Sequence, residues 1–168
     1  DSHSPTGGAF GAYMFGIGAT EMAGVLATGE IWIKVPETIL MSWRNQLNAY
    51  VTAKDMMLAM CRKIGMGGGR YQAIQYAGQT IQALSMQERM TLSNMAAELG
   101  AQSGLIAPDE ATVAFVQAAG GTVPANWRDF QIEAAESAEN VMQFDAASLE
   151  PQIAAPYSPE NADAADAF

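Results

Sequence analysis

A chain of 168 residues is long enough for one hydrophobic core, and 49% hydrophobic against 15% charged residues leaves its surface short of charge. The net charge of −10 is lopsided, with seven acids and seven bases in residues 1–100 but eleven acids and Arg128 alone in residues 101–168, which disfavours nucleic acid as a partner. One cysteine, Cys61, excludes an internal disulfide or a metal site built from several thiolates, and no run of about 18 apolar residues offers a membrane-spanning helix.

Asp1-Ser2-His3-Ser4 gathers a carboxylate, two hydroxyls and the one histidine into four residues, and Pro5 with Gly7-Gly8 lets the backbone turn tightly. A helix starting near Gly8 would direct its positive end at Ser2 and His3; a disordered polar terminus is the other reading of the same residues. Residues 7–29 are dense in Gly and Ala, with Phe10, Tyr13, Met14 and Phe15 between them. Thr20 predicts the cap of a helix over 21–27 that Gly29 ends. Gly16-Ile17-Gly18 lacks the third glycine of a dinucleotide fingerprint, since Glu21 stands in its place, and no strand precedes it.

Alternation predicts strands at 31–35 and 39–43, either two strands or one bent at Pro36. Thr52 and Asp55 at one end, and Arg62 and Lys63 at the other, predict a helix over 53–64. Cys61 lies on this helix and reads as a small buried apolar residue rather than a reactive thiol. Gly65–Gly69 lacks the Lys and Ser/Thr of a phosphate-binding loop and reads as a hinge into a strand over 71–76. A short helix over 79–84 leads to Ser85, with Glu88 at capping-box spacing.

The helix capped there runs through Met90–Gly100, where Asn94 and Glu98 stand four residues apart and so share one helical face. A carboxamide and a carboxylate on an otherwise apolar helix suit a polar ligand or a metal-bound water, and they also suit solvent. Beyond it the pattern predicts a strand over 103–107, then a helix opened by Pro108-Asp109-Glu110 and closed by Gly120-Gly121. An acidic helix over 127–140 and strands at 141–144 and 149–154 follow, and from Pro156 the tail has the composition of a linker. Strands alternating with helices predict an α/β domain with a layered sheet.

Five collinear stretches cover nearly the whole chain: DSHSPTGGAFGAYMFGIGATEMAGVLATG, IWIKVPETI, VTAKDMMLAMCRKIG, MTLSNMAAELGAQSGLIAPDE and SLEPQIAAPYSPEN. Together they resemble the aconitase-type hydro-lyases, the family of aconitase, homoaconitase and the large subunit of 3-isopropylmalate dehydratase. The Trp-x-Lys-Val-Pro-Glu-Thr and Ile-Ala-Pro-Asp-Glu pieces are closer to the isopropylmalate dehydratase and homoaconitase branch.

The resemblance implies an internal fragment: the end of a first α/β domain at 1–32, a second three-layer α/β/α domain at 33–149, and a linker into a third domain at 150–168. It implies isomerisation of a hydroxy di- or tricarboxylic acid by removal and re-addition of water, with isopropylmalate as the leading substrate and homoaconitase, dimethylmalate dehydratase or aconitase activity as alternatives. In such enzymes a [4Fe–4S] cluster held by three cysteines keeps one iron open to the substrate. The resemblance puts Asp1, Ser2 and His3 in the active site, with His3 close to the departing hydroxyl, and Asn94 and Glu98 beside the cluster and its bound water. Cys61 matches none of the cluster cysteines, so no cluster is expected on this chain alone. The serine base, the carboxylate-binding arginines and a small subunit with the swivelling domain would come from outside it. A cytoplasmic location is expected. A stand-alone binding or assembly module of the same fold is the competing reading, and RNA binding is opposed by the acidic second half.

Overall fold

The computed structural model describes residues 1–130 and 140–168. A 3-10 turn at Ser4–Phe10 opens the chain, with Pro5 in its first turn and Gly11 closing it in the left-handed region (φ 78°). It starts at Ser4, earlier than the helix expected near Gly8, because proline presets the backbone angle there. Helix α1 spans Ala19–Thr28 and ends on Gly29 at φ 74°. Its cap is Gly18 rather than Thr20, and Glu21 reaches back to accept the Gly18 N–H at 2.6 Å. No residue of α1 is buried. Residues 31–35 form no strand. Their alternation is real, but among the described residues no neighbouring strand pairs with them, and Trp32 and Val35 are 87% and 83% exposed.

Four parallel strands make the central sheet: β1 (Thr38–Arg44), β2 (Ala73–Ala77), β3 (Ser103–Ile106) and β4 (Asn140–Asp145), in the spatial order β3-β2-β1-β4. Parallel neighbours need a crossover. Helix α2 (Ala53–Ile64) joins β1 to β2, while α3 (Gln79–Ala83) and α4 (Met86–Asn94) join β2 to β3. Helix α5 (Glu110–Ala118) follows β3. This is the α/β fold that the alternation of elements predicts.

Period-two alternation decides the core. Ile39, Met41 and Trp43 of β1, Ile74 and Tyr76 of β2 and Ile106 of β3 are buried with Met56, Met57, Met60 and Cys61 of α2 and Leu92 of α4. Helix α2 has the predicted bounds, with Asp55 accepting both the N–H and the hydroxyl of Thr52 at 2.7 Å. Ser85 and Glu88 form the predicted box at the start of α4. Strand β2 starts at Ala73, two residues late, because Arg70 and Tyr71 hold left-handed backbones (φ 42° and 63°) that no strand accommodates.

The tail departs from the linker its composition suggests. Strands β5 (Gln152–Ala154) and β6 (Ala162–Ala164) pair antiparallel and pack on α2. Asp55 accepts the Gln152 N–H at 2.7 Å, Glu160 accepts the Met66 N–H at 3.1 Å, and Arg62 pairs with Asp163. Of the acidic helix expected over 127–140, Trp127–Phe130 is a 3-10 turn and Asn140 already belongs to β4; the remainder lies outside the described residues.

Candidate active site

The opening 3-10 turn lies on the edge strand β3 because Gly8 permits it. A Cβ on Gly8 would stand 1.8 Å from the Gly104 carbonyl oxygen, so only glycine lets these backbones approach. Tyr13 donates its hydroxyl to Gln102, and Ser103 Oγ donates to the Met14 carbonyl at 2.8 Å. These contacts anchor the segment that begins with Asp1, Ser2 and His3.

Within that segment the Asp1 carboxylate accepts the His3 backbone N–H at 2.8 Å, and Ser2 Oγ lies 3.4 Å from His3 Nδ1. Thr6 Oγ1 donates to the His3 carbonyl at 2.6 Å. The same oxygen accepts a hydrogen bond from Asn94 Nδ2 at 3.1 Å. The histidine segment and the end of α4 are thus joined directly, 88 residues apart in sequence.

Asn94 and Glu98 do not share a face as expected. Helix α4 ends at Asn94 and the chain tightens into a 3-10 turn over Met95–Leu99, closed by Gly100 at φ 73°. A 3-10 turn advances about 120° per residue, so a four-residue step no longer stacks side chains. The tightening brings the chain to β3 within a few residues, and Gly100 donates to the Ala97 carbonyl at 2.9 Å. Asn94 therefore meets Thr6, whereas Glu98 stands near Cys61 and Tyr76. Burial first, and the Glu98 charge second, push the Cys61 thiol up to about 11. Burial, with Cys61 and Glu98 adding to it, raises Tyr76 as well.

A cavity of about 250 Å³ is lined by Asp1, Ser2, Gly16, Tyr71, Ala97 and Gln102, among others. Tyr71 and Gln102 precede β2 and β3, so this cavity lies at the amino ends of the strands. Open parallel sheets more often bind ligands at the carboxyl ends. There a second cavity of about 260 Å³ is bordered by Gln75, Gly78 and the ion pair of Arg89 with Asp109. Of the five residues singled out from the sequence, Asp1 and Ser2 line the first cavity. His3 stands outside it with a 77% exposed side chain. Asn94 and Glu98 belong to the helical stretch that supplies Ala97 to its wall.

Sequence reading overlooked Thr6, Tyr71 and Gln102. The threonine three residues after His3 and the Gly-rich turn before Tyr71 were the available signals. Among the described residues no three His, Cys, Asp or Glu side chains assemble as a metal-binding group. A [4Fe–4S] cluster takes about three or four thiolate ligands. The one thiol here belongs to Cys61, fully buried in α2 and raised to about 11, so these residues do not hold such a cluster by themselves. No described helix is long and apolar enough to cross a membrane.

The sequence pattern of the Aconitase family (aconitate hydratase) matches residues 1–167. The "Probable 3-isopropylmalate dehydratase large subunit" of Methanothermobacter thermautotrophicus is 42% identical over 161 residues, covering 96% of this chain and 38% of the relative. The "3-isopropylmalate dehydratase large subunit" of Moorella thermoacetica is 41% identical over 162 residues, with the same coverage of 96% and 38%. The "Probable methanogen homoaconitase large subunit" of Methanosarcina mazei is 42% identical over 161 residues, covering 96% of this chain and 40% of that protein. The chain thus spans about 38% of the length of the first two relatives.

Proposed function

The chain belongs to the aconitase family, and on that premise we propose that it works as part of a hydro-lyase that isomerises a hydroxy dicarboxylic acid, with 3-isopropylmalate as the substrate. The observation that carries this reading is the 42% identity over 96% of the chain to a protein named 3-isopropylmalate dehydratase large subunit. A homoaconitase activity is the second reading, favoured by an equally identical relative of that name. The words "large subunit" in those names support a small-subunit partner, and a cytoplasmic location goes with this reading.

In this proposal residues 1–32 close a first domain, 33–149 form a second and 150–168 lead into a third. Cysteines elsewhere in the longer protein hold a [4Fe–4S] cluster. Asp1 and Ser2 contribute one wall of the substrate cavity. The Asp1 carboxylate, bonded to the His3 N–H at 2.8 Å, fixes the backbone that carries the imidazole. His3 then delivers a proton to the hydroxyl that leaves and recovers it when water returns. Asn94 acts from the His3 side of this wall, and Glu98, turned another way, orients a reacting water.

The test is turnover of 3-isopropylmalate, homocitrate and citrate by the full-length protein with its small subunit, after anaerobic loading with iron and sulfide. Dehydration of 3-isopropylmalate ahead of the other two is expected. Preference for homocitrate establishes the second reading, and a loaded enzyme that dehydrates none of them overturns both.

A further inference from the structure

We propose that Thr6 is a positioning residue that sets the orientation of the Asn94 carboxamide and ties it to the His3 backbone. This inference rests on the hydro-lyase reading for its catalytic consequence, but its geometry stands on its own. A threonine hydroxyl has one proton. Thr6 Oγ1 places that proton on the His3 carbonyl at 2.6 Å, a short and well-formed bond, and has only lone pairs left for a second partner. The group that Asn94 presents at 3.1 Å must therefore be its NH₂, not its carbonyl.

That choice fixes the other half of the side chain. With Nδ2 given to Thr6, Asn94 Oδ1 is the half of the carboxamide left to accept a hydrogen bond. The relay continues past His3, whose N–H is held by Asp1 at 2.8 Å. One hydroxyl thus orders a carboxamide on α4 and the backbone of the Asp-Ser-His segment together. Threonine suits the place because it is stiff at its first side-chain torsion, and because Thr6 is half-buried between the two elements.

The experiment compares Thr6→Val, which keeps the shape and removes both bonds, with Thr6→Ser, which keeps the hydroxyl, in the full-length protein with its small subunit. Thr6→Val is expected to lower kcat by about 10- to 100-fold, the usual scale for a group that orients a site residue, with a smaller change in KM. Thr6→Ser recovers most of that loss. In the background of Asn94→Ala, Thr6→Val costs little more, because the group it positions is already gone. Equal losses in the valine and serine variants, or losses that simply multiply with Asn94→Ala, overturn the proposal. A second readout needs no turnover. In ¹⁵N-asparagine-labelled protein the Asn94 carboxamide resonances shift in Thr6→Val and stay in place in Thr6→Ser; unmoved resonances in the valine variant overturn the relay. Wild-type enzyme that turns over no hydroxy acid defeats the function reading alone, and the resonances still decide the relay.

Discussion

Arg89 and Asp109 meet through two parallel hydrogen bonds of 2.8 Å, tying the middle of α4 to the cap of α5. The guanidinium is fully buried and gives two further donors to the carbonyls of Gln82 and Leu84. Removing the carboxylate would strand a charge in the interior and uncap α5. Asp109→Ala is therefore expected to lower stability by about 3–5 kcal/mol, read by denaturant unfolding at neutral pH.

The same pair gives an acid dependence of known sign. Burial works to raise the Asp109 carboxyl, but the Arg89 hydrogen bonds and the Thr112 N–H outweigh it and hold it below the usual range. In the unfolded chain an aspartate titrates at about 3.9. The unfolded state thus takes up this proton first as pH falls. The stabilisation is complete above that value and disappears as pH drops through the lower native value. The stability gap between wild type and Asp109→Ala should narrow on acidification below roughly pH 4, and a gap that widens instead would contradict the pairing.

Gly8→Ala should lever the Asp-Ser-His segment off the sheet, since the new methyl would lie 1.8 Å from the Gly104 carbonyl oxygen. A loss of about 1–3 kcal/mol or more is expected, with a fall in turnover of the complete enzyme. Gly24→Ala is the contrast: a Cβ there meets nothing within 4 Å, and α1 should gain up to about 1 kcal/mol of helix propensity. Thermal melts of both variants decide the matter.

Cys61, with its thiol pushed up to about 11 first by burial and then by Glu98, should resist alkylation at mildly alkaline pH until the protein opens. Glu98→Gln removes the second cause, so labelling should speed up modestly while burial still dominates. In the complete enzyme the same change is expected to lower kcat by about 10²-fold if Glu98 orients a reacting water. Unchanged turnover would assign Glu98 to the α2 side of its turn alone.

Leu26 on α1, and Trp32 and Val35 in the segment between α1 and β1, are 81%, 87% and 83% exposed. Apolar surface of this extent is expected to drive self-association of the 168-residue chain. Light scattering should report a mass above the 17.8 kDa monomer. Trp32→Lys with Val35→Lys should reverse it.

Local chemistry made much of this fold legible. Thr52 with Asp55, Ser85 with Glu88, and Pro108-Asp109 each satisfy helix-end N–H groups with nearby side chains, so α2, α4 and α5 could be read from short windows. Long-range partners decided what was missed. Residues 31–35 alternate like a strand but find no neighbour among the described residues, and the composition of the tail past Pro156 hides β6, which pairs with β5 beside α2. The candidate site shows the same division. Asp1, Ser2 and His3 stand together because they are consecutive, while the contact of Asn94 with Thr6 depends on a close approach of Gly8 to Gly104 that no sequence window contains.

The clasp on α2 bears on the order in which the molecule can be made. The bonds that Asp55, Arg62 and Met66 make to Gln152, Asp163 and Glu160 close loops of 97, 101 and 94 residues. Such closures are entropically late events. During synthesis α2 emerges long before the residues that hold its outer face, and for that interval it must lie against β1 and β2 with one side bare. A ribosome paused short of residue 152 would display a partly built sheet whose second helix still awaits its cover.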